Sequence, residues 1–89
     1  MMVEYSIFFK KSVEKDLVGI PTTYLSKILQ RIESLKIDPR PQGSEKLTGQ
    51  ELYLIRQGIF RIVYSIQNRE LTIWIIRIAH RKEIYKKLR

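Results

Sequence analysis

The chain has no cysteine, which excludes disulfides and thiolate metal sites. Its one histidine, His80, excludes a histidine-based metal cluster, and no cofactor is expected. No apolar run approaches the length needed to cross a bilayer, and no membrane attachment is expected. The opening Met1-Met2-Val3-Glu4-Tyr5 lacks the basic and apolar regions of a signal peptide, so the expected compartment is the cytoplasm. Acidic residues are scarce: 9 against 17 lysines and arginines, a formal charge of +8. Such an excess on 89 residues points to a polyanionic partner, whether nucleic acid, an acidic protein or an anionic membrane. The apolar share, 44%, is ordinary for a globular chain, so disorder is not expected. Residues 1–89 are read as one small domain with little surplus apolar burial.

The few glycines and prolines divide the chain. Val3 to Phe9, aromatic and β-branched, reads as a first strand. Lys10 to Val18 suits a short helix with Val13, Leu17 and Val18 inward. Gly19-Ile20-Pro21 ends it, and Pro21 suits the first turn of the next helix. Leu25, Ile28, Leu29, Ile32 and Leu35 then recur at helical spacing, to an end near Lys36. Asp38-Pro39-Arg40-Pro41-Gln42-Gly43 is a loop that continues through Lys46-Leu47-Thr48-Gly49. Three strands follow, Leu52 to Arg56, Ile59 to Ile66 and Leu71 to Ile78, with turns at Gln57-Gly58 and at Gln67 to Glu70. His80 to Arg89 reads as a short helix or ordered tail. The order β-α-α-β-β-β makes an α+β fold, a helical hairpin packed on one face of an antiparallel sheet.

Side chains on a strand alternate between faces. With Gln57-Gly58 as a two-residue loop, Arg56 pairs with Ile59 and Leu54 with Arg61. Leu52, Leu54, Arg56, Ile59, Arg61, Val63 and Ser65 then share one face, and Phe60, Ile62, Tyr64 and Ile66 suit packing under the helices. Two arginines thus stand close together on an otherwise apolar surface, with Glu51 and Glu70 as nearby acidic residues. The bland alternative is that both snorkel at the sheet edge. Against it stands the end of the last strand, where Arg77, His80, Arg81 and Tyr85 add cationic and aromatic groups. Arginines interleaved with an aromatic make a phosphate- and base-stacking site. Tyr85 has core packing as an even alternative, and Trp74, between Ile73 and Ile75, is expected in the core.

Asp38-Pro39-Arg40-Pro41-Gln42-Gly43, then Lys46-Leu47-Thr48-Gly49, then Leu52 through Tyr64 resemble the central segment of the RelE/ParE toxins. Ile78-Ala79-His80-Arg81-Lys82-Glu83-Ile84-Tyr85 resembles the RelE-type ending, a histidine-arginine pair with a tyrosine four residues after the arginine. The resemblance covers nearly the whole chain and implies a toxin of a type II toxin-antitoxin system, made with a cognate small antitoxin. Members of the RelE branch enter the ribosomal A site and cut mRNA there without metal. Members of the ParE branch inhibit DNA gyrase.

By that resemblance Arg61 matches the arginine that stabilises the scissile phosphate, and Arg81 the one that protonates the leaving group. Tyr85 matches the aromatic that stacks on or orients a nucleotide. Arg56 falls where members carry a lysine acting as base, a departure, since arginine stays protonated near neutral pH. Leu54 stands where a second basic residue often occurs. His80 has a suitable intrinsic pKa to serve as acid or base beside Arg81, or it holds the tail by a hydrogen bond. The reading is a ribosome-dependent endoribonuclease, with the ribosome and mRNA as partners. Its rivals are a ParE-like gyrase inhibitor, a non-enzymatic nucleic-acid-binding module, and a degenerate toxin.

Overall fold

The computed structural model describes residues 3–88 apart from Thr48 and Gln50. Met1, Met2, Thr48 and Arg89, which figure in the sequence reading, lie outside the described residues. The elements are β1 (Ser6–Phe9), α1 (Lys11–Val18), α2 (Thr22–Ser34), β2 (Glu45–Lys46), β3 (Tyr53–Gln57), β4 (Phe60–Gln67), β5 (Thr72–His80) and α3 (Ile84–Lys87). They form an α+β fold as expected. The sheet has five strands in the order β1-β5-β4-β3-β2. It is mixed: β2 to β5 pair antiparallel, but β1 joins β5 in parallel. A strand followed by two helices and a long return can arrive on either side of its partner, so local pattern does not fix this pairing. The two-residue β2 was read as loop.

The helical hairpin covers one face. Ile28, Ile32 and Leu35 of α2 and its C-terminal edge, with Val13 of α1, pack on Ile55, Phe60, Ile62, Tyr64, Ile73, Ile75 and Ile78. Tyr64 is wholly buried, and its hydroxyl donates to the Pro39 carbonyl at 2.7 Å. Burial pushes that hydroxyl up to about 12, against the pull of Arg31 and Arg40. The bond ties the Asp38–Gly43 loop to the core. Val18 was expected inward but is almost fully exposed at the end of α1.

The hairpin turn between β3 and β4 is Gly58-Ile59, not Gln57-Gly58, because Arg56 pairs with Arg61 and Gln57 with Phe60. Gly58 has φ +60°, and Ile59 after it has negative φ, the pattern of a type II′ turn with glycine first. The correction moves each residue's cross-strand partner by two, from Ile59 to Arg61 for Arg56, so the faces are kept. Leu54, Arg56, Arg61 and Val63 still share a face, but Ile59, at the tip, packs toward the helix-side core.

The second face is only half covered. Ile84 of α3 is buried there with Leu54, Val63 and Ala79, and Leu88 packs alongside. Toward β1 the face is open. Trp74 is 37% exposed rather than in the core, with its ring 5.2 Å from that of the exposed Phe8. Its neighbours Ile73 and Ile75 take the helix side, so alternation puts Trp74 outward.

Candidate active site

Arg56 and Arg61 are direct partners across the β3–β4 hairpin, on the second face near its tip. Paired residues of one face stand roughly 5 Å apart at Cβ, so the two arginine side chains start from neighbouring points. Each has a tether. Arg56 Nη2 lies 3.0 Å from Glu45 Oε1, an exposed ion pair with the short strand β2. Glu45, not Glu51 or Glu70, is therefore its acidic partner, brought close by a strand that the sequence pattern did not show. Arg61 Nη1 donates to the carbonyls of Gly58 and Phe60, both at 2.9 Å. These bonds fold the side chain back on its own turn. Among the described residues its Nε and Nη2 hydrogens have no protein acceptor, which leaves an oriented edge for an anion.

The β4–β5 ladder carries the C-terminal residues to the same end of the sheet. Ala79 pairs with Arg61 and His80 with Phe60. The Arg81 amide donates to the Ile59 carbonyl at 2.8 Å, one step further. Alternation from Ala79 puts Arg81 on the face of Arg61. Tyr85 follows the buried Ile84 on α3 and is 60% exposed, so core packing is not its role. Arg56, Arg61, Arg81 and Tyr85 thus belong to one end of the second face.

His80 does not join them, because β5 changes phase before it reaches that residue. Val63 pairs with Arg77 and Tyr64 with Ile75, so Ile76 is an extra residue in β5. This bulge inverts the phase of the strand. Ile73 and Ile75 before it and Ile78 after it all reach the helix-side core. His80, two residues on, shares their side, with its ring edge-on to Phe60 at 6.2 Å. Its Nδ1 accepts the Lys82 amide at 3.1 Å, which fixes the turn into α3. A sequence read at strict period two cannot see the inversion.

Arg77 turns to Asp16 of α1, Nη1 to Oδ1 at 3.2 Å, instead of adding to the cationic face. Asp16 is buried, and its Oδ2 accepts the Ile78 amide at 3.0 Å. Lys87 Nζ approaches Oδ1 at 3.9 Å. These groups, with Lys15, Phe60 and His80, line a cleft of about 430 Å³ on the helix side of β5. Sequence reasoning passed over Asp16. Its one signal is an acidic residue three positions after Val13, on the stripe that the helix turns inward.

The sequence profile of the ParE toxin of type II toxin-antitoxin systems, parDE, matches residues 7–85. RelE1 of Methanocaldococcus jannaschii is 33% identical over 88 residues, covering 94% of this chain and 98% of that protein. The RelE–RelB complex of the archaeon Pyrococcus horikoshii is similar in structure, with a TM-score of 0.79 and 27% identity over 89% of this chain and 97% of the other. The toxin-antitoxin complex RelBE2 of Mycobacterium tuberculosis shares the fold, with a TM-score of 0.80 at 24% identity over 90% and 94% of the two chains. The profile match spans nearly the whole domain, and with these relatives it shows that the chain belongs to the RelE/ParE superfamily of type II toxins.

Proposed function

We propose that this toxin is an endoribonuclease that cuts mRNA on the ribosome. The observation that carries the reading is the Arg56–Arg61 pair, with Arg81 and the exposed Tyr85 at the same end of the sheet. In the reaction the RNA 2′-oxygen bonds to the adjacent phosphorus and the bond from phosphorus to the 5′-oxygen breaks. The proton leaves the 2′-hydroxyl and another is delivered to the 5′-oxygen. The products are a 5′-hydroxyl and a 2′,3′-cyclic phosphate, which water can open to a 3′-phosphate by breaking the bond from phosphorus to the 2′-oxygen. Negative charge grows on the phosphate oxygens in the transition state. The free edge of Arg61 is suited to receive it in a bidentate contact. Arg81, at the same end of the sheet, is assigned as donor to the leaving oxygen, and Tyr85 offers a ring for a base. His80, turned to the other side of the sheet, has the role of holding the Lys82 turn.

Arg56 occupies the position of the base and is poorly suited to it. This incomplete set supports a dependence on the ribosome, which positions mRNA and contributes to the reaction geometry. A cognate antitoxin is the expected partner, since RelE of Pyrococcus horikoshii and of Methanococcus jannaschii is found in complex with RelB. The test is induction in cells with mapping of transcript 5′ ends, followed by cleavage of naked and ribosome-bound mRNA by the purified protein. New 5′-hydroxyl ends that need ribosomes are expected; equal rates on both substrates count against the ribosome. The matching profile carries the ParE name, which favours gyrase inhibition as the second reading. Loss of gyrase supercoiling with intact transcripts would establish it instead.

A further inference from the structure

We propose that Asp16 is a positioning residue for the Arg81–Tyr85 segment, clamping the end of β5 and α3 to α1 through the Ile78 amide, Arg77 and Lys87. The inference rests on the reading of Arg81 and Tyr85 as site residues. It begins with an uncovered edge. β1 pairs with β5 only from Thr72 to Ile75, and its last link is the Lys10 amide to the Ile75 carbonyl at 3.0 Å. Beyond that point the chain has turned into α1, and among the described residues no strand lies beside the outer edge of β5. The Ile78 amide on that edge is donated to Asp16 Oδ2 instead, so one side chain replaces the missing strand.

The other oxygen gathers two cations. Arg77 comes from the bulged part of β5, and Lys87 comes from α3. All three donors lie between residues 77 and 87, the stretch that carries Arg81 and Tyr85. The carboxylate side chain is 3% exposed, whereas Arg77 and Lys87 are 27% and 44% exposed. The cluster is therefore a hinge pin at the edge of the domain and not a part of its apolar core. An apolar residue at position 16 would fill the space but leave the Ile78 amide unpaired. An asparagine would accept that amide but would hold neither cation. The charge is needed for Arg77 and for Lys87, and Lys87 belongs to the helix that presents Tyr85. Ile84 sets that helix on the second face, and Lys87, three residues on, reaches round the edge of β5 to the helix side. Two attachments on opposite sides of one strand fix the rotation of α3, which a single apolar contact does not.

The experiment compares the full chain with Asp16→Asn, Lys87→Met and Glu14→Gln. The last removes an exposed acid from α1 and is the control. Each is assayed for turnover and KM on programmed ribosomes well below its melting temperature, and for amide exchange at Ile78 and at Lys86, which donates to the Glu83 carbonyl beneath α3. Asp16→Asn should keep Ile78 protected, with Lys86 exchange rising about tenfold and turnover falling about tenfold at a KM within about twofold. Lys87→Met should move Lys86 exchange and turnover by about threefold, in the same directions, because its ion pair is longer and more exposed. Glu14→Gln should match the parent. Parental exchange at Lys86 in both variants overturns the clamp, and parental turnover despite faster exchange overturns its link to the site. A lowered melting temperature with unchanged turnover does the same. If Asp16→Asn fails to fold, Lys87→Met decides by the same readings. If the parent cuts no RNA, the proposed function fails, while exchange at Lys86 still decides whether Asp16 holds α3.

Discussion

The helix-side face of the sheet carries a continuous apolar layer, in which Ile28, Ile32 and Leu35 meet Ile55, Ile62 and Tyr64. The second face has a smaller cluster, Leu54, Val63, Ala79 and Ile84, roofed by a helix of four residues. The arginine pair and the exposed Phe8, Trp74 and Tyr85 lie on the second face. A thick, dry layer is suited to holding strands in register but has no room for unpaired cations. A thin one supports the strands from behind and leaves guanidinium groups open to an anion. On the proposed function, the fold separates stability from chemistry across one sheet.

The largest expected effect tests that separation directly. Ile62→Ala should cost about 3–4 kcal/mol in urea denaturation, as a cavity in the thick layer. Ile84→Ala, equally buried, should cost only about 1–2 kcal/mol, because α3 comes loose while the sheet stays folded. Equal costs would mean that the two layers unfold as one core, and the distinction would be lost.

Next in size is Arg61→Ala. Cleavage on programmed ribosomes should fall roughly 10²–10³-fold, as for the loss of an oxyanion donor, and Arg61→Lys should recover only part of it. Melting should shift little, since the bonds lost are those to the turn carbonyls and one such bond contributes about 1 kcal/mol. A variant that melts like the parent and cleaves at the parental rate removes Arg61 from the mechanism. One that unfolds shows that the residue belongs to the fold.

Alkaline pH probes the thick layer alone. The folded Tyr64 hydroxyl ionises near 12, above its ordinary value of 10.0. The folded state therefore holds that proton more tightly. The stabilisation is fully present below pH 10 and is lost as pH rises toward 12, by roughly 2 kcal/mol. Phenolate absorbance during titration should show a late step from Tyr64. Tyr64→Phe should abolish the late step. Smallest of all, Glu45→Gln should change stability by no more than ~0.5 kcal/mol, because its pair with Arg56 is exposed. Lys36→Ala, whose partner Glu33 is on the surface of α2, should leave cleavage unchanged.

How much of this was legible in the sequence differs between the two layers. Hydrophobic spacing placed Ile28, Ile32 and Leu35 under the sheet, and alternation along β4 placed Phe60, Ile62 and Tyr64 opposite them. The same alternation put Arg56 and Arg61 on one face even though the turn was misplaced by a residue, because moving each cross-strand partner by two keeps the faces. Trp74 was misjudged because an aromatic between two isoleucines reads as core, whereas the face it occupies has no cover near β1.

Length, charge and the two periodicities determined the fold class, the apolar layer and the shared face of the arginines, since these depend on neighbours within a few residues. Tertiary structure alone decided that β1 joins in parallel, that Ile76 bulges, and that His80 faces away from Arg61. It also decided that Asp16 meets Arg77, Ile78 and Lys87, partners more than sixty residues further along the chain. A bulge changes the phase of a strand without changing its composition, and a buried carboxylate takes its partners from wherever the chain returns. Neither is written in local pattern, because both are set by which backbone groups are left unpaired once the sheet has formed.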